Sequence, residues 1–268
     1  MAVNRNISCD GSTTAVYLTV EPDACDLTGA WRPDAALTAM QLASHYGREA
    51  LGIGWSALAE RGALWVVSRI NLSLSRIPRL GEKLTVRATA LPAVKLLFPW
   101  KFLITDAAGE IIGEGSAIWN LMDASARRIT YVPGIGDRIP KSEGTSPRPE
   151  LPRAAAELSC PPERRAVRPV YSDLDINGHV SNIRYLTWCC NALGADVLRR
   201  FAISSLRISF MQEVLPEAVV DTELRTENDR FSFSGYNGES PAFIIEGTLT
   251  KRESAHSAAD LLDICKVN

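Results

Sequence analysis

WVVSRINLSLSRIP at residues 65–78 and ISSLRISFMQEVLP at residues 203–216 share one pattern. Arg69-Ile70-Asn71-Leu72 and Pro78 precede Arg207-Ile208-Ser209-Phe210 and Pro216 by 138 residues in each case. Both stretches are of strand length and strand composition, with Pro78 punctuating the first. A repeat at this distance makes each half of the chain one copy of a common unit, and the register sets Ser75 opposite Glu213.

The flanks repeat as well. Before the first copy, Pro33 sits where a first helical turn tolerates proline, and Ala36, Leu37, Met40, Ala43, Tyr46, Gly47 and Ala50 recur at helical spacing up to Gly52. Before the second copy, NIRYLTWCCNALGADVLRR at 182–200 is the matching helix. Strand-like runs follow each, at Trp65–Ser75, Glu82–Leu91, Leu97–Asp106 and Ile111–Met122, then at Leu206–Gln212, Ala218–Glu227, Arg230–Tyr236 and Ala242–Lys251. Between the halves, prolines 140, 147, 149, 152, 161 and 162 remove backbone donors and read as a linker. The expected organisation is an α+β tandem (double) hotdog, each half a long helix wrapped by an antiparallel sheet. Residues 1–132 form the N-terminal hotdog, 133–169 the Pro-rich linker, 170–253 the C-terminal hotdog and 254–268 a tail.

Composition removes several function classes. Hydrophobic residues are 46% and charged residues 22% of the chain, an ordinary globular balance. A net charge of −2 offers no basic surface that counterion release from nucleic acid would reward. No apolar run reaches the roughly 18–20 residues of a membrane span, and the first residues carry no signal-peptide core, so no membrane insertion and a cytoplasmic location are expected. Cysteines at 9, 25, 160, 189, 190 and 265 show no CxxC spacing and are expected reduced. With only His45, His179 and His256 available, no metal and no cofactor is expected.

Chemistry concentrates in YSDLDINGHVSN at 171–182. Asp175, Asn177 and His179 alternate in an extended loop, so their side chains share one side immediately before a helix start. Asn and His can donate to a carbonyl oxygen, a carboxylate can orient an imidazole or polarise water, and helix-end N–H groups favour a developing oxyanion. Asp and Asn are also ordinary cap and turn residues. The cluster decides for chemistry, because the first half has Trp31, Arg32 and Pro33 near its own helix start and no matching Asn or His.

With GEKLTVRATALP at 81–92, GEIIGEGSAIWNLMDASARRI at 109–129 and YSDLDINGHVSNIRYLTW at 171–188, the chain resembles the acyl-ACP thioesterase family, tandem-hotdog enzymes of plastids and bacteria. The resemblance implies hydrolysis of fatty acyl-ACP in fatty acid biosynthesis, with acyl carrier protein as partner and a homodimer as a candidate assembly. It places Asp175, Asn177 and His179 on the family's catalytic Asp-x-Asn-x-His and Glu213 on its catalytic Glu. Plant members commonly carry Cys after that Glu; here the residue is Val214, which favours direct attack by water.

The first half reads as the specificity half, with Met40, Trp55, Leu58, Trp65, Leu72, Leu97 and Phe98 an apolar supply suited to an acyl tunnel or to core packing, and Arg127, Arg128, Arg164 and Arg165 are candidates for contact with an acidic carrier by charge complementarity. An acyl-CoA thioesterase and a non-catalytic acyl-binding hotdog are the competing readings, and a dehydratase fits less well because the first half offers no second His at a comparable site.

Overall fold

A computed structural model describes residues 6–140 and 158–252; the remainder of the Pro-rich stretch, 141–157, and the 254–268 tail lie outside the described residues. Two compact units emerge, one holding residues up to 18, 37–73 and 83–140, the other 19–36, 74–82 and 158–252. The segments around Trp31 and Pro78 therefore belong with the C-terminal strands and not with the rest of the N-terminal half.

The first half runs β1 (Asn6–Asp10), β2 (Thr13–Thr19), α1 (Pro33–Ala50), α2 (Trp55–Ala59), β3 (Ala63–Leu74), β4 (Lys83–Ala90), β5 (Phe98–Thr105), β6 (Ile111–Asp123) and β7 (Arg128–Ile129). Its strands lie in the order β1-β2-β4-β5-β6-β3, with β7 beside β6. In β4, Leu84, Val86, Ala88 and Ala90 are buried at alternate positions, and in β5 Phe98, Trp100, Phe102 and Ile104 are. This period-2 burial fixes the register, since a one-residue slip would turn the whole apolar set outward. The helix α1 lies close against this sheet: a Cβ on Gly115 of β6 would stand 2.7 Å from Met40 Cε and 2.9 Å from the Asn71 carbonyl oxygen.

The first-half interior is not wholly apolar. Arg48 of α1 is 6% exposed, its guanidinium 4.1 Å from the Trp119 ring centroid and 5.6 Å from that of Trp65. Burial lowers its pKa to about 9. Of the apolar candidates there, Met40, Leu58, Leu72 and Phe98 are buried, whereas Trp55 is 53% exposed.

The second half runs β8 (Glu163–Val167), α3 (Asn182–Leu193), α4 (Ala195–Arg200), β9 (Phe201–Phe210), β10 (Val220–Glu227), β11 (Arg230–Asn237) and β12 (Ser240–Lys251). Strand order is β9-β12-β11-β10-β8; the described pairings are all antiparallel. On α3, Tyr185, Leu186, Trp188, Cys189 and Leu193 are buried, an i, i+1, i+3, i+4, i+8 set that makes one broad helical face. That face meets the sheet through aromatic rings: Tyr185 lies 4.4 Å from Phe243 and 5.8 Å from Phe210, and Phe243 lies 5.6 Å from Phe233. Each such ring, fully buried, contributes roughly 1.5–3 kcal/mol. The observed architecture is the tandem hotdog expected from the sequence.

Four details differ from the sequence expectation. The hairpin β1–β2 precedes the first helix. The end of the Pro-rich stretch forms β8, paired with β10. The 182–200 helix is broken at Gly194, where φ is +84°. Finally, β9 begins at Phe201, five residues before Leu206, directly from the end of α4.

Candidate active site

The loop before α3 is held by its own backbone. A 3-10 turn at Tyr171–Asp173 opens it; Asp173 accepts from the Val170 N–H through its carboxylate at 3.0 Å and from the Ser181 N–H through its carbonyl at 2.8 Å. Asp175 N–H donates to the His179 carbonyl at 2.9 Å, and Gly178 N–H to the Asp175 carbonyl at 3.1 Å. Gly178 has φ +77°, a conformation that costs a residue bearing Cβ about 1–2 kcal/mol. The Val180 N–H donates to the Val214 carbonyl at 2.9 Å. This last bond ties the residue following Glu213 to the residue following His179, and so sets the Glu213 side chain beside the imidazole.

His179 lies between two carboxylates. Its Nδ1 is 3.6 Å from Asp175 Oδ2 and 3.1 Å from the Val180 carbonyl oxygen; its Nε2 is 3.9 Å from Glu213 Oε1. A carbonyl only accepts, so the Nδ1 contact with Val180 requires a proton on Nδ1; in the neutral ring the Nε2 lone pair is then turned toward Glu213. Nε2 is buried with no hydrogen-bond partner among the described residues. Asp175 Oδ1 is held by the Asn177 N–H at 2.8 Å. The structure thus brings Asp175, His179 and Glu213 together, while Asn177 joins them through its backbone and its place in the loop.

Sequence reasoning missed Tyr185, one turn into α3. It is 4% exposed; burial raises its phenol pKa above the usual range, a backbone hydrogen bond with Val214 opposes this, and the Asp175 and Glu213 carboxylates add to the rise. An aromatic with a polar tip in the first turn after DLDINGH was the available signal. Val214 is fully buried. Cys189 is buried and its thiol is pushed well up, and burial, with Asp34, drives Cys190 up to about 12. Thiolate, the reactive form, is then scarce at neutral pH. Among the described residues no group of three or more His, Cys, Asp and Glu could hold a metal ion.

The first half carries a copy of this loop. A 3-10 turn at Pro22–Ala24 leads to α1 at Pro33, each position 149 residues before its counterpart at Tyr171 and Asn182. The isolated bridges Cys25–Trp31 and Leu174–Val180 keep that spacing, and Gly29 has φ +72° where Gly178 has +77°. Asp26 N–H donates to the Ala30 carbonyl at 2.8 Å, and Trp31 N–H to the Pro78 carbonyl at 2.8 Å. Asp26, Thr28 and Ala30 stand where Asp175, Asn177 and His179 stand. Since Pro78 plays the part of Val214, Ile77 is the counterpart of Glu213, which corrects the expectation of Ser75: two residues are lost between strand and anchor in the second copy.

Of the basic candidates, Arg164 is paired with Glu223 at 2.9 Å and Arg165 with Glu163 at 3.4 Å, whereas Arg128 is exposed.

Comparison with known proteins follows the same division. The acyl-ACP thioesterase N-terminal domain matches residues 12–134 and the acyl-ACP thioesterase C-terminal domain residues 160–240. A palmitoyl-acyl carrier protein thioesterase, chloroplastic, of Cuphea hookeriana is 26% identical over 174 residues, which are 61% of this chain and 41% of that protein. The chain thus spans about two fifths of that relative's length. A 12:0-ACP thioesterase from Umbellularia californica superposes with a TM-score of 0.79 at 18% identity, covering 91% of this chain and all of that one. An acyl-ACP thioesterase from Bacteroides thetaiotaomicron gives 0.74 at 20% identity, covering 89% and 98%.

Proposed function

Because the chain belongs to the acyl-ACP thioesterase family, we propose that it hydrolyses the thioester of a fatty acyl-ACP to free fatty acid, with Asp175, Asn177, His179 and Glu213 as the working groups. One observation carries this reading: the imidazole has its Nε2 within 3.9 Å of Glu213 Oε1 while its Nδ1 proton is held by Val180. In the neutral ring both Nε2 and the carboxylate oxygen are acceptors, so the group that joins them must donate to both. A water can do so at about 2.8 Å from each once the side chains open to admit it, since both atoms are closed to solvent here. His179 then holds the attacking water, a refinement of the sequence reading that gave it to the carbonyl.

In the step that follows, the water oxygen bonds to the thioester carbon as Glu213 takes its proton, and the negative charge moves to the carbonyl oxygen. The Asn177 amide and N–H groups at the start of α3 can donate to that oxyanion. Collapse breaks the C–S bond, and the proton held by Glu213 passes to the departing thiolate. Asp175 orients the ring from its Nδ1 side. No thiol enters, in keeping with Val214 and with the raised pKa of Cys190.

The test is release of fatty acid from palmitoyl-ACP and palmitoyl-CoA by the purified chain. Hydrolysis of the carrier-protein substrate at the higher kcat/KM is expected. Preference for the CoA ester assigns the carrier wrongly, and retained lipid without turnover makes the protein an acyl binder. For the carrier contact, Arg128→Glu should raise KM at low salt without changing kcat.

A further inference from the structure

The first-half copy of the loop has lost the chemistry but not the space beside it. A cavity of about 210 Å³ lies against Trp31, Arg32, Pro33, Asp34 and Ile77, the surroundings of the copy, and is closed by side chains of α3, α4 and β9. At about 30 Å³ per water, it has room for roughly seven waters or for a short hydrocarbon with a polar head. Nothing in the proposed hydrolysis uses it.

Its charges are nearly all spent within the protein. Arg32 binds Asp34 with two bonds of 3.1 Å, and Arg252 donates to Asp26 at 2.5 Å. Arg184, also lining the cavity, has no ion-pair partner among the described residues. It shares one face of α3 with Thr187 and Asn191, at i, i+3 and i+7. The Thr187 hydroxyl oxygen is closed off from the cavity and has no hydrogen-bond partner among the described residues. Three arginines against two aspartates leave one net positive charge, and the Cys190 thiol beside them stays neutral. Ile77, Leu198, Ala202 and Ile203 provide the apolar wall. One cation beside a hydrocarbon surface is complementary to a monoanion with a carbon chain, and not to a cation or a dianion.

We infer that this cavity is a second, non-catalytic site that binds the carboxylate of an aliphatic acid, with Arg184 on the head group and Ile77 and Ile203 on the chain. The site stands independently of the hydrolytic reading, since none of its residues takes part in that step.

Isothermal titration of the full chain tests it with three probes: sodium octanoate, 1-octanol and inorganic phosphate. Octanoate is expected to bind, and 1-octanol and phosphate to bind at least tenfold more weakly. Arg184→Gln should weaken octanoate at least tenfold, and Ile77→Glu, which sets a carboxylate against the chain wall, should do the same. His179→Ala should retain the octanoate binding that Arg184→Gln removes. Absence of octanoate binding overturns the inference, as does equal binding by wild type and Arg184→Gln. Loss of that binding in His179→Ala assigns it to the catalytic loop and overturns it too, and phosphate binding as tight as octanoate rules out a site for an aliphatic acid.

Discussion

The loops at 22–33 and 171–182 have one backbone and two uses. In the first, the Asp26 carboxylate is saturated: it accepts from the Thr28 N–H at 2.7 Å, the Thr28 hydroxyl at 2.6 Å, the Ala30 N–H at 3.2 Å and the Arg252 guanidinium at 2.5 Å. In the second, Asp175 accepts from one N–H through Oδ1, leaving Oδ2 at 3.6 Å from an imidazole. The first carboxylate is a structural brace, and the second has an oxygen left for orienting another group. A reactive site therefore differs from its inert twin by which hydrogen bonds it leaves unmade, and not by the path of the chain.

The comparison is broken most sharply at the imidazole. His179→Ala should fold and lose roughly 10²–10⁴-fold in kcat, the usual cost of deleting an acid-base group; a wild-type rate with palmitoyl-ACP would return the second loop to the same status as the first. Next in size, Asp26→Ala should cost about 3–5 kcal/mol in denaturant unfolding, because it takes the carboxylate from Arg252, leaving that cation only the Leu198 and Phe201 carbonyls, and unpairs two backbone donors. Asp175→Ala should cost less than Asp26→Ala in the same experiment while losing activity. If the two variants lose equal stability, the contrast between brace and working group is wrong.

A smaller effect sharpens the likeness of the backbones. Gly178→Ala should lose about 1–2 kcal/mol from its positive φ, and Gly29→Ala at least as much, since Gly29 is buried as well. The smallest effect is a null. Val214→Cys should yield no covalent acyl adduct by mass spectrometry of a quenched reaction, the new thiol being as buried as the valine; an acyl-cysteine there would require a nucleophilic route.

Much of this was legible in the residues. Helical and alternating periods are written by burial, so α1, α3 and most strands can be read from Ala36, Met40, Tyr185 and Ile208 directly. DLDINGH stands out because four polar groups crowd a helix start. The meeting of Glu213 with His179 is harder to read, because it depends on the Val180–Val214 backbone bond, which joins segments more than thirty residues apart and involves no distinctive side chain. The copy at residue 26 was hidden for the opposite reason: its backbone is retained while Thr28 and Ala30 erase the motif, and the two-residue loss near Glu213 shifts the register that the strands define. Strand β8, with Glu163, Arg164 and Arg165 all exposed, carries no apolar alternation to announce it. The β1–β2 hairpin turns at Gly11-Ser12, a readable signal, but its polar flanks Ser8, Thr13 and Thr14 mask the strands.

One variant bears on the mechanism most directly. Glu213→Gln keeps the shape of the side chain and removes its ability to take a proton from water, so single-turnover hydrolysis of palmitoyl-ACP by the folded variant should fall at least 100-fold below wild type. A single-turnover rate equal to wild type would show that the carboxylate beside His179 is not the group that activates water.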